Sequence, residues 1–103
     1  MHRTVAEKIP EIAEICRTHR VKTLGLFGSA TGEGFDPAKS DLDFVVEFEV
    51  MSPGDHADAY LDLARDLEAL FARPVDLVEM APIKNPYFRE AVEESRIPVY
   101  AAP

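Results

Sequence analysis

The sequence predicts an α+β fold, a small mixed β-sheet with helices packed on one face. Three observations predict it. Apolar residues at helical spacing alternate along the chain with short apolar runs of strand length. One run, Asp41 to Val50, alternates by face: Leu42, Phe44, Val46, Phe48 and Val50 fall on one side, and Asp41, Asp43, Val45, Glu47 and Glu49 on the other. The chain has 103 residues, enough for one modest core, so residues 1–103 read as one domain. Helices between strands would by themselves suit a doubly wound sheet. A strand buried on both faces would be apolar throughout, and this one is not. Helices are therefore expected on its apolar face, with the carboxylate face left to work.

The elements follow in order. Val5, Ile9, Ile12, Ala13 and Cys16 form a first helical stripe, in which Pro10 either opens the helix or kinks a longer one. Lys22 to Gly28 reads as the first strand, followed by a polar loop with Gly32, Gly34 and Asp36-Pro37 as turn formers. Asp41 to Val50 is the second strand. Ser52-Pro53-Gly54-Asp55 starts a helix: Ser52 caps, Pro53 suits the first turn, and Asp55 stands where a capping-box acid would. Ala57, Tyr60, Leu61, Ala64, Leu67 and Phe71 are its expected buried stripe, a core stripe and not a cofactor box. Val75 to Met80 is a third strand. Asn85-Pro86 caps a last helix with Phe88, Ala91 and Val92 as its buried face, and Pro98 to Tyr100 suits a short edge strand, where proline is tolerated.

Composition limits function. The net charge is −8, and affinity for nucleic acid comes largely from Lys and Arg neutralising phosphates. No basic cluster with interleaved aromatics is present, so direct binding of nucleic acid or of an anionic membrane is not expected. The single cysteine, Cys16, excludes an internal disulfide and reads as a small buried hydrophobe. No signal peptide or membrane span is legible, and a cytoplasmic protein is expected. His2, His19 and His56 are scattered, without metal-ligand spacing.

The residues that carry chemistry converge from three places. Gly28-Ser29 ends an apolar strand, where a glycine lets backbone N–H groups approach a phosphate and a serine adds a donor. Asp41 and Asp43, two apart on a strand, project from one face. Asp76 opens another strand whose Val75 and Leu77 take the apolar side, so it completes a three-carboxylate cluster if the two strands are neighbours. Such a cluster suits divalent cations. Without them the carboxylates raise one another's pKa, and magnesium takes oxygen ligands together with phosphate oxygens. Two ions about 3.5–4 Å apart stabilise the attacking and leaving oxygens of a displacement at phosphorus. Glu47 and Glu49 lie further along the same face and read as solvated.

The stretch LFGSATGEGFDPAKSDLDFVVEF, with the later PVDLV and REAVEESRIPVY, resembles the DNA polymerase β-like nucleotidyltransferase superfamily. The resemblance is nearest to its minimal branch, the MNT domains that serve as antitoxins in HEPN–MNT toxin–antitoxin pairs. It implies a polymerase β-like core, Gly28 and Ser29 on the triphosphate, Asp41 and Asp43 as the metal-binding pair, and Asp76 as the third carboxylate, a metal ligand or the base for the acceptor hydroxyl. It also implies Mg2+, with Mn2+ able to substitute, and ATP as substrate. AMP would pass to a protein hydroxyl, a tyrosine of a HEPN toxin, in a hetero-oligomer. Two departures stand out. No arginine follows Gly-Ser, where the chain reads Ala30-Thr31-Gly32-Glu33, and the loop to Asp41 is about one residue longer than the commonest form. Lys39, the loop's only cation, either serves the phosphates with Ser40 or is a solvated surface lysine. Two other readings remain open: an antitoxin that neutralises its partner by contact alone, and a small-molecule nucleotidyltransferase.

Overall fold

The computed structural model describes residues 1–31, 41–80 and 84–103. The loop residues Gly32, Gly34, Lys39 and Ser40 lie outside that set. In chain order the elements are α1 (Arg3–Ala6), α2 (Ile9–Thr18), β1 (Val21–Phe27), a 3-10 turn (Gly28–Thr31), β2 (Leu42–Phe48), α3 (Pro53–Phe71), β3 (Val75–Glu79), α4 (Pro86–Ser95) and β4 (Ile97–Ala101). The sheet runs β3-β2-β1-β4. β1 pairs antiparallel with β2 and with β4, and β2 pairs parallel with β3. The fold is the expected mixed sheet, and β4, which carries Pro98, lies at its edge.

Pro10 occupies the first turn of α2 and opens that helix, where its missing N–H costs nothing. The residues before it form a separate short turn, α1, whose N-cap is His2: its Nδ1 accepts from the Thr4 N–H at 3.0 Å. Ser52 caps α3 by accepting from the Asp55 N–H at 3.2 Å, and Asn85 caps α4 by accepting from the N–H groups of Tyr87 and Phe88. The side chains expected to cap do so, because Ser and Asn at an extended N-cap satisfy N–H groups that the first turn leaves without a helical partner.

The main core lies between the sheet and α1–α3. Leu42, Phe44, Val46 and Phe48 of β2 meet Leu24 and Leu26 of β1, Ile12 and Cys16 of α2, and Leu63, Leu67 and Phe71 of α3. Burying each of the larger side chains contributes about 1.5–3 kcal/mol. Burial pushes the Cys16 thiol up to about 12, which leaves it an unreactive part of the core.

Four expectations are corrected. The buried stripe of α3 is Ala59, Leu63, Leu67 and Phe71, while Ala57 is exposed and Leu61 is 59% exposed. Leu61 reaches Leu67 only through Ala64, in i, i+3 steps that drift round the helix, and the i, i+4 series through Leu63 is the one that meets the sheet. Val50 lies beyond β2 and is fully exposed, because the chain leaves the sheet after Phe48 to reach the Ser52 cap. On α4 only Val92 is buried; Phe88 is 45% exposed and Ala91 is exposed. Finally, the second face of β2 is not left wholly polar. Val92 packs there with Val45 and Met80, beside Phe27, in a small separate cluster. The Arg96 side chain crosses Gly25 of β1 on that face, where a Cβ would lie 2.6 Å from the Arg96 Cδ.

Candidate active site

β1 delivers the chain to Gly28, which takes φ +74°. L-residues rarely adopt that conformation, and glycine does so without strain. The turn that follows is pinned from three sides. The Thr31 hydroxyl donates to the Gly28 carbonyl at 2.7 Å, Ala30 is buried, and the His2 N–H donates to the Ala30 carbonyl at 2.8 Å. The N-terminal turn therefore straps down the segment that carries Gly28 and Ser29, a role that nothing in the sequence signalled.

The sheet register assembles the carboxylates. Asp43 stands opposite Phe27, the residue before Gly28, and on its other side aligns with Asp76 of β3. Strand alternation turns Leu42, Phe44, Val75 and Leu77 to the main core and both aspartates to the other face. Asp41 precedes β2 and is exposed, Asp43 is half-buried, and Asp76 is exposed. The Asp43 carboxylate lies hard against the turn: a Cβ on residue 28 would collide with Asp43 Oδ2 and sit 3.2 Å from its Cγ. The positive φ favours glycine at position 28, and any side chain there would also push the Asp43 carboxylate aside.

The Asp43 carboxyl titrates above its usual range. Partial burial is the main cause, followed by the negative charges of Asp76 and then Asp41. Among the described residues no Lys, Arg or His forms an ion pair with any of the three. As these side chains stand, no three His, Cys, Asp or Glu residues among the described ones close around a metal ion. Among the described residues the geometry is that of an open negative site without a paired cation, with Asp43 at its centre and a glycine turn on its flank. Oxygen donors that repel one another in this way fit a hard divalent cation, which would relieve the repulsion.

The other candidates are placed elsewhere. Glu47 pairs with Lys22 at 3.2 Å on the surface. His19 pairs with Asp66 at 2.6 Å, and His56 with Glu79 of β3. These histidines tie helices to their surroundings, away from Asp43.

A family model described as "Nucleotidyltransferase domain" matches residues 9–99. The chain belongs to the nucleotidyltransferase domain family. The match spans β1, the Gly28 turn, β2 and β3, so the elements that assemble the acidic site are the family's own. This nucleotidyltransferase is 37% identical over 98 residues to a Methanocaldococcus jannaschii protein provisionally named a protein adenylyltransferase, covering 86% of this chain and 95% of that one. It is 31% identical to the solved structure of a provisionally named minimal nucleotidyltransferase, at TM-score 0.68, covering 95% of this chain and 96% of the other. A Shewanella oneidensis complex of a tri-AMPylated HEPN toxin with its MNT antitoxin shares the fold at TM-score 0.64 and 18% identity, covering 94% of this chain and 72% of the matched one. The nucleotidyltransferase is accordingly an enzyme of group transfer, with an α+β fold like that of its minimal relatives.

Proposed function

We propose that this nucleotidyltransferase moves AMP from ATP to a hydroxyl of a protein partner, a tyrosine of a HEPN toxin, and so acts as its antitoxin in the cytoplasm. The observation that carries the reading is the in-register pair Asp43–Asp76 with Gly28 packed against Asp43. The fold shared with an MNT antitoxin, and the name of the Methanocaldococcus jannaschii relative, support the choice of acceptor and of nucleotide.

Asp41 and Asp43, with Asp76, would hold Mg2+ or Mn2+. The ion would neutralise charge on the triphosphate and on the oxygens entering and leaving phosphorus. The Gly28-Ser29 turn brings backbone N–H groups to the phosphates, with Lys39 and Ser40 assigned to the same task. The different exposures of Asp43 and Asp76 suggest different roles. Asp43 is half-buried and fixed against the turn, which suits a permanent ligand. Asp76 is exposed and open to an incoming group, which suits a base. It accepts the proton of the acceptor hydroxyl as that oxygen bonds the α-phosphorus. The bond from the α-phosphorus to the bridging oxygen breaks, and pyrophosphate leaves with the electron pair.

The absence of an arginine in Ala30-Thr31-Gly32-Glu33 favours a second reading, neutralisation of the partner by contact alone. Labelled ATP and magnesium, incubated with the chain alone, with a HEPN-fold partner and with small-molecule alcohols, separate the readings. Label on a partner tyrosine, lost with Asp43→Asn, is expected. An unlabelled but silenced partner leaves the contact reading standing, and label on a small molecule alone points to a different acceptor.

A further inference from the structure

The outward residues of α3 form a second surface. Ala57 and Leu61 lie one turn apart on its solvent side, and with Met51, His56, Tyr60 and Glu79 they line a groove of about 650 Å³ between α3 and β3. Three polar groups of its floor are paired with one another or with the backbone. His56 is bonded to Glu79 and stands edge-on to Phe48, and the Tyr60 hydroxyl donates to the Leu77 carbonyl. What the groove mainly offers an occupant is apolar surface, from Met51, Ala57 and Leu61. Its outer rim carries an excess of negative charge at Asp58. Helical spacing puts Asp58, Asp62 and Arg65 beside Leu61 on the side away from the groove, and turns Asp55 to the back of the helix. Asp55 is paired with Arg20 and Asp62 with Arg65, whereas Asp58 is exposed and has no ion pair among the described residues.

We propose that this groove docks an amphipathic helix of a protein partner, one whose apolar stripe is bordered by Lys and Arg. The apolar stripe covers Ala57 and Leu61, and the cations meet the Asp58 rim. A second copy of this chain is the wrong occupant, because a symmetric contact sets each acidic rim against its equal on a molecule of net charge −8. Place adds to chemistry. The groove borders β3, the edge strand that carries Asp76, but Glu79 shares the α3 side of that strand with Val75 and Leu77, so Asp76 lies across the strand on the opposite face. A partner held there is anchored at the sheet edge, from which another of its segments can reach round β3 to the Asp76 face. The inference rests on the reading that the chain acts on a protein, and it names the surface that holds that protein.

The test uses the full chain and a synthetic amphipathic helix of about 18 residues, with Leu along one stripe and Lys on either side. The controls are the same peptide with Ser for Leu and with Glu for Lys. Backbone amide shifts should move at Met51, Ala57, Leu61 and Glu79, with the Leu/Lys peptide bound at least about tenfold more tightly than either control. Leu61→Ser and Asp58→Lys should each weaken it about tenfold or more, and both positions are exposed enough for the fold to tolerate the change. Association should slow as salt rises. Shifts confined to other surfaces, equal binding of the Ser peptide, or a dimer that Leu61→Ser dissociates would overturn the proposal. The Asp43→Asn variant separates the two readings, since it should bind the peptide normally while transferring nothing. Intact docking without transfer in the wild type removes the catalytic reading, and transfer to the partner that survives Leu61→Ser and Asp58→Lys together removes the groove.

Discussion

The two faces of β2 treat alternate residues of one strand in different ways. Leu42, Phe44, Val46 and Phe48 disappear into the core beneath α1–α3. On the other face Val45 is sealed by Met80 and Val92, while two residues earlier Asp43 stays half-open between Gly28 and Asp76. The packed face has a surplus of apolar neighbours and can be perturbed without touching charge. The opposite face is sealed at one end only, and at its open end three carboxylates have no ion-pair partner among the described residues. The packed core and the candidate site are thus separable along one strand by residue parity.

Breaking the packed face should have the largest effect. Phe44 is fully buried and stacks at 6.1 Å from Phe71. Phe44→Ala should lower the unfolding free energy by about 3–5 kcal/mol, read from denaturant midpoints. A cost under about 1 kcal/mol would mean that the core can collapse around the gap and that the two faces differ less than their burial implies.

Asp76→Asn should act on the other face and on rate rather than stability. Asp41 and Asp43 remain, so ATP should bind within about tenfold of wild type, a loss below roughly 1.4 kcal/mol. Transfer should slow by at least about a hundredfold, the lower end of what a general base supplies. Transfer at the wild-type rate would reduce Asp76 to a solvent-facing strand residue.

The smallest effect sharpens the comparison through pH. Folding raises the Asp43 pKa above the ordinary value of 3.8, so between those two values the folded chain binds more protons than the unfolded one. Stability from this group therefore falls as pH rises through that window, and the loss persists at neutral pH. Asp43→Asn should raise the metal-free melting temperature slightly at pH 7, and the gain should fade as pH drops below the ordinary aspartate range. Magnesium with ATP should raise the wild-type melting temperature and not that of the variant. A gain independent of pH would assign the effect to packing instead of charge.

Local chemistry was the legible part of the sequence. Ser52 and Asn85 cap as read, because a cap is decided within a few residues. The parity of β2 was legible because strict alternation has one interpretation when one face is buried. What failed depends on distant partners. Nothing near Leu61 and Leu63 says which of them meets the sheet. Val45, set among carboxylates, gave no sign that α4 would cover it. For the site, parity put Asp41, Asp43 and Asp76 on one face, but their neighbourhood awaited the pairing of β2 with β3. Gly28 was read for its backbone; its contact with Asp43 is set by the β1–β2 register and was invisible. Lys39 and Ser40 fall outside the described residues.

The parallel pairing of β2 with β3 also bears on the order in which the molecule comes into being. Antiparallel neighbours can be joined by a tight hairpin, but parallel neighbours require a crossover, here the whole of α3. Such non-local pairing forms slowly, since a long segment must be ordered before its contacts repay the cost. A chain emerging from the ribosome presents Asp41 and Asp43 while Asp76 is still unmade. The full set of three carboxylates, and the repulsion among them, therefore exists only in a molecule whose sheet has closed on β3, and a half-folded copy would carry Asp41 and Asp43 without Asp76 beside them.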